Sequence, residues 1–322
     1  MKLEDFPKLE EIKSSIRKLN RIGFPKFNGD IEVNLFVKEI EKILTEEFGI
    51  LFSPIKPLKH KEFSLKIFRV REAEQFTNID LIREHSYPPI DITSMGRCNF
   101  PHFPVFYCSN DAMTALIEVV KNYGKSDKKY IISKWEIQSP NEELMFQTFL
   151  QTELPPENHF GLFRKDLNER INEPFEKSLN FKLDSDRKEG LIEYLSFLDS
   201  SFISDKNYSL SAALAHKSLY ADHNYRTDIL MYPSVQTRFK GVNLALHPNF
   251  VENNLKLTRL YEVSLEEYNP QNGKINVTFY KYADVEKNVI MWKKILPNDD
   301  TYNKRIEQDF GQIIDNKFIM KK

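Results

Sequence analysis

At 322 residues the chain can hold one large domain with additions, and 46 Lys+Arg against 47 Asp+Glu leave a formal charge of −1, so no broad basic field argues for nucleic acid or an anionic membrane. Twenty-five Phe and only ten Gly mark an ordered globular chain, while Cys98 and Cys108 are too few for a disulfide framework and cannot build a zinc site alone. No stretch approaches the roughly 18 apolar residues of a membrane span, and Met1-Lys2-Leu3-Glu4-Asp5 leads into an amphipathic segment rather than an apolar signal core, so a soluble cytoplasmic protein is expected.

Behind an Asp5/Pro7 start signal, Leu9, Ile12, Ile16 and Leu19 recur three or four apart and predict an amphipathic helix. A second helix runs from Asp30, with Val33, Phe36, Val37, Ile40, Ile43, Leu44 and Phe48 on its apolar side and Gly49 placed to end it. These helices and the Pro- and Lys-rich connection after them are read as an N-terminal helical extension, 1–60. It serves as a cap, as a docking arm for a partner or second copy, or simply packs on its own domain.

The main domain, 61–322, opens with a strand-like Leu65 to Arg71 segment that puts Arg69 and Arg71 on one face. Val105-Phe106-Tyr107-Cys108 predicts a short buried strand, and Asn110 or Asp111 caps a helix over Ala112 to Lys121. Tyr130 to Ile137 alternates as a strand. Ser139 to Lys188, polar and interrupted by Pro155-Pro156, reads as a long excursion with local helix. Helices follow at Leu191 to Leu198 and Ser209 to Tyr220, then strands at Ile229 to Tyr232 and Val242 to Leu246, and a hairpin of Leu257 to Val263 with Ile275 to Tyr280 across Asn269 to Gly273. Beyond the hairpin lies a tail. Strands and helices without regular alternation favour an α+β fold, a mixed β-sheet core with surrounding helices.

Several motifs are absent: there is no Gly-rich phosphate loop, no paired Cys motif, no His-Glu-x-x-His and no Gly-x-Ser-x-Gly. The seven histidines are dispersed, His216 and His223 have no evident carboxylate partner, and no metal site is expected.

What remains is three blocks: Ile67-Phe68-Arg69-Val70; Gly96-Arg97-Cys98-Asn99 leading through Pro104-Val105-Phe106-Tyr107 to Ala115-Leu116-Ile117-Glu118; and Tyr232-Pro233-Ser234-Val235 with Gly241-Val242-Asn243-Leu244-Ala245-Leu246. In order, type and local spacing they resemble the RES-domain family, named for its Arg, Glu and Ser, over about residues 65 to 250. Cys98, where the family carries Phe or Trp, and the insertion between Ile137 and Leu191 depart from the pattern and leave the named polar residues intact. The resemblance implies an ADP-ribosyltransferase-like fold and an NAD+-consuming toxin of a toxin–antitoxin pair, whose partner is a helix-turn-helix antitoxin covering the NAD+ site. Glu118, Arg69 and Ser234 carry over as catalytic residues, and Arg69, Arg97, Tyr107, Ser234 and, as a helper, Asn243 as NAD+-binding residues.

The chemistry of these residue types fits that implication. Cleaving the nicotinamide–ribose bond builds positive charge on the sugar, which a fixed carboxylate such as Glu118 stabilises. On a helix Glu118 falls in one polar stripe with Asp111, Thr114 and Lys121; the residues alone read as a solvated face, and it is the resemblance that turns the reading to a reacting carboxylate. Arg69 and Arg97 suit a pyrophosphate, which a guanidinium grips in a fork. Tyr107 offers a ring for nicotinamide or a hydroxyl for the ribose, and is otherwise a core aromatic. Ser234 has no histidine base beside it, so an orienting hydroxyl is expected rather than a nucleophile. The expected reaction is glycohydrolysis or phosphorolysis of NAD+, with water or inorganic phosphate as acceptor. The alternatives are ADP-ribosyl transfer to a macromolecule and a non-catalytic interaction module.

Overall fold

The structure, a computed structural model, describes residues 6–49, 51, 55–59, 65–120, 128–151, 153–156, 158, 160, 184–222, 226–269, 271, 274–296, 299–310, 313–314 and 317–318. In chain order the elements are α1 (Leu9–Ile22), α2 (Val33–Phe48), β1 (Ile55–Lys59), β2 (Ile67–Glu72), β3 (Phe106–Ser109), α3 (Ala112–Val120), β4 (Lys129–Ile137), β5 (Glu143–Thr148), α4 (Ser185–Ser204), α5 (Ser209–Leu219), β6 (Ile229–Pro233), β7 (Val242–Leu246), α6 (Pro248–Asn254), β8 (Leu255–Asn269), β9 (Lys274–Glu286), β10 (Val289–Lys294), α7 (Asp300–Phe310), β11 (Ile313–Ile314) and β12 (Lys317–Phe318). The fold is mixed α+β. Among the described residues no helix is long and apolar enough to cross a membrane.

The chain divides into two compact units, one of Met1–Lys56, Ile90–Pro104 and Met145–Tyr232, the other of Pro57–Pro89, Val105–Leu144 and Pro233–Lys322. This differs from the expected boundary at residue 60. The apolar faces of α1 and α2 are covered by α4 and α5, which come late in the chain, so these helices belong to the body of the first unit. Phe6 and Phe48 meet Tyr194 of α4 edge-on at 5.8 and 5.0 Å. A Cβ on Gly190 would come within 2.8 Å of the Pro7 carbonyl, so α4 needs glycine where the chain entering α1 crosses it. α2 starts three residues after Asp30, because Asp30 is held in a turn by Asn28 and Glu32 accepts the Asn34 N–H instead; it ends where Gly49 turns left-handed at φ 74. In this unit β5 and β6 pair in parallel, Phe146 opposite Ile229 and Thr148 opposite Met231.

The second unit is an antiparallel sheet in the order β7-β3-β2-β4-β8-β9-β10. Paired residues share a face and successive ones alternate, so the register sorts the side chains. Phe68 pairs with Ser109 and Lys134, and Ser109 with Asn243, which puts Phe68, Val70, Tyr107, Ser109, Ile132 and Asn243 on one face. Arg69, paired with Ser133, and Cys108, paired with Leu244, point to the other. The first face carries α3 and α7: Met113, Leu116, Ile117, Ile306 and Phe310 form one buried cluster with Phe68, Val70, Ile132 and Tyr261. Each such side chain contributes about 1.5–3 kcal/mol on burial. α7 is further tied down by Asp309, which is fully enclosed and meets Lys134 at 2.9 Å, Arg259 at 2.7 Å and the Tyr261 hydroxyl at 2.6 Å.

Candidate active site around Glu118

β3 delivers the chain directly into α3. The Ser109 hydroxyl donates to the Val242 carbonyl at 2.7 Å and accepts the Asp111 N–H at 3.2 Å, closing a tight turn, and Asp111 Oδ1 then accepts the Thr114 N–H at 2.7 Å as the helix cap. Glu118 therefore emerges from the second turn of α3, half-buried. The stripe it shares with Thr114 is not a solvated face. Thr114 is buried against Gly241, where any Cβ would overlap the threonine side chain, so the segment from Ser234 to Gly241 lies directly on the helix. Lys121 of the expected stripe lies outside the described residues.

Two side chains from this later part of the chain converge on the carboxylate. Ser234, immediately after β6 and fully buried, donates its hydroxyl proton to Glu118 Oε1 at 2.5 Å. Asn243 of β7 donates Nδ2–H to the same oxygen at 2.8 Å. Among the described residues no hydrogen bond falls on Oε2. Glu118, Ser234 and Asn243 thus form one constellation, in which the asparagine is as fully engaged as the serine. Tyr107 lies on the same sheet face as Asn243, opposite Ala245 of β7, and is half-buried.

Arg69, grouped with these residues on the sequence, is not among them. It projects from the opposite sheet face, donates NH1–H to the Tyr107 carbonyl at 2.9 Å and stacks over the Phe106 ring at 5.2 Å. Burial, reinforced by the neighbouring Arg71 cation, lowers its pKa to about 10, and its buried Nε has no hydrogen-bond partner among the described residues. Arg71 is likewise taken up by main chain, donating to the Glu84 and Gln75 carbonyls and stacking on Phe76 at 4.5 Å. Arg97 belongs to the first unit, where its NH1 donates to the Phe202 and Ile203 carbonyls at the end of α4 and its guanidinium lies over the Tyr208 ring at 5.2 Å.

Residues not singled out on the sequence complete the surroundings. Thr237, buried, donates its N–H to Ser234 Oγ at 3.2 Å and its hydroxyl to the Ser234 carbonyl at 3.2 Å. The one signal for it was its place between Pro233-Ser234 and Gly241, as a residue that bonds locally to main chain. Among the described residues no group of three or more His, Cys, Asp and Glu is placed to hold a metal; His223 lies outside them. No protein-family model and no curated protein matches the chain.

Proposed function

We propose that the protein consumes NAD+ by cleaving its nicotinamide–ribose bond, as a glycohydrolase or phosphorylase. The observation that carries this reading is the single carboxylate, Glu118, fixed through one oxygen by two donors from distant segments while its other oxygen has no described partner. A reaction that builds positive charge on a sugar ring needs such a group: held before the substrate arrives, and requiring no reorganisation as the charge develops. Oε2 faces the developing ribosyl cation, Ser234 and Asn243 keep Oε1 from rotating away, and Tyr107, on the same sheet face, stacks the nicotinamide. Water or inorganic phosphate then takes the vacated position on the ribose.

In this reading Arg69 acts on β3, holding the Tyr107 carbonyl and so the strand that carries the ring. We further propose, from the resemblance to the RES domain, that the fold is ADP-ribosyltransferase-like and that the chain is a cytoplasmic toxin held by a helix-turn-helix antitoxin. Incubation of the purified chain with NAD+, with and without phosphate, tests the activity. ADP-ribose without phosphate indicates hydrolysis, a phosphorylated ADP-ribose with it indicates phosphorolysis, and label retained on protein or nucleic acid indicates transfer. Intact NAD+ under every condition overturns the reading.

A further inference from the structure

We infer that Thr237 is the positioning residue of the Ser234–Glu118 pair, an inference that deepens the proposed function and rests on Glu118 being the reacting carboxylate. A serine hydroxyl has a single proton and rotates freely unless its acceptor side is occupied. Here the Thr237 N–H donates to Ser234 Oγ at 3.2 Å, which leaves that proton directed to Glu118 Oε1. The threonine hydroxyl does a second job: it donates to the Ser234 carbonyl at 3.2 Å and accepts the Gly241 N–H at 3.0 Å, joining both ends of the turn through one atom. Ser234 N–H to the Gly241 carbonyl at 2.9 Å and Phe239 N–H to the Ser234 carbonyl at 2.8 Å close the same ring.

The turn so closed is not one its residues adopt freely. Arg238 and Phe239 stand in succession at φ 53 and 64, a left-handed conformation that costs energy for residues with a Cβ and persists only where surrounding bonds impose it. From outside, the Tyr268 hydroxyl holds the Gln236 carbonyl at 3.2 Å. Thr237 is the side chain at the centre of this arrangement, and it touches no reacting atom.

Thr237→Val keeps the shape and removes the hydroxyl, Thr237→Ser keeps the hydroxyl, and Ser234→Ala serves as the reference for a lost serine contact. In the full chain without substrate, the Asn243 side-chain amide resonance reports on Glu118, because Asn243 bonds the same Oε1. We expect it to move in Thr237→Val in the direction seen for Ser234→Ala, and to stay in place in Thr237→Ser. With NAD+, we expect Thr237→Val to lower kcat about tenfold with KM within about twofold of the parent, and Thr237→Ser to restore it. If Thr237→Val does not fold, Thr237→Ala carries the same comparison. A Thr237→Val chain whose Gly241 amide exchanges faster while the Asn243 resonance and kcat stay unchanged overturns the inference, since the threonine then only closes the turn. A parent chain that leaves NAD+ intact overturns the proposed reaction instead, and the resonance comparison still decides whether Thr237 sets the Ser234–Glu118 pair.

Discussion

Asn243 Nδ2 lies 2.8 Å from Glu118 Oε1, so a strand residue fixes a helix carboxylate 125 positions earlier in the chain. That bond and the one from Ser234 convert what would otherwise be a flexible glutamate into a group with one orientation. A preorganised carboxylate of this kind is more effective than a mobile one, because its alignment is set before the charge it stabilises appears.

The close approach of Gly241 to α3 makes the site sensitive to a single methyl group. Gly241→Ala puts a Cβ into the buried Thr114 side chain, within 2.8 Å of its Oγ1, Cγ2 and Cβ together, so that no rotation of the threonine about χ1 clears the contact with Cβ. The overpacking is expected to cost about 1–3 kcal/mol and to lower the melting temperature by several degrees. Thr114→Ala in the same chain is expected to recover part of the loss. A fully stable single variant contradicts the contact.

Arg69 separates positioning from substrate binding. Arg69→Lys loses the guanidinium contact with the Tyr107 carbonyl and the stacking on Phe106. The expected result is a loss of about 1–3 kcal/mol in stability with KM for NAD+ changed less than about twofold. A tenfold rise in KM at unchanged melting temperature returns Arg69 to the substrate.

How much of this was legible in the sequence depended on the distance between interacting residues. The β3 to α3 connection was readable because its capping is local: Asp111 sits three residues before the N–H it accepts. The amphipathic period of α2 and its Gly49 stop were visible for the same reason. Whether the stripe around Glu118 was wet or covered was not, because Ser234 stands 116 positions away from the carboxylate it binds. β5 lies inside the stretch expected as a polar excursion with local helix, and its partner β6 comes some eighty residues later, so no local pattern marked it. α7 in the expected tail buries only Tyr302, Ile306, Asp309 and Phe310, and its remaining polar residues hide that spacing. Spacing along the strand shows that Arg69 and Arg71 share a face, and only the pairing of β2 with β3 and β4 shows which face that is.

Stability is expected to fall on acidification. Burial pushes both His85 and His216 down to about 4 from the ordinary value of 6.5, and the enclosed Nδ1 atom of each has no hydrogen-bond partner among the described residues. Between those values the unfolded chain binds more protons than the folded one, so stability rises with pH through this window and is lost as pH drops from about 6.5 toward about 4. His216 stacks on Tyr220 at 4.9 Å and meets Phe103 at 4.7 Å, a setting that accepts a phenyl ring. His216→Phe is therefore expected to flatten the decline in melting temperature between pH 7 and pH 5. An unchanged slope contradicts a neutral, buried His216.

Whether Glu118 acts on the nicotinamide–ribose bond is decided by nicotinamide release from NAD+ by the parent chain and by Glu118→Gln, with NAD+ affinity measured in parallel. The glutamine retains the shape and an oxygen for Ser234 and Asn243 but removes the charge. The expected result is rapid release by the parent, NAD+ binding by the variant within a few-fold of the parent, and turnover lowered by roughly a thousandfold. Equal turnover by the two chains, or no release by the parent, contradicts it.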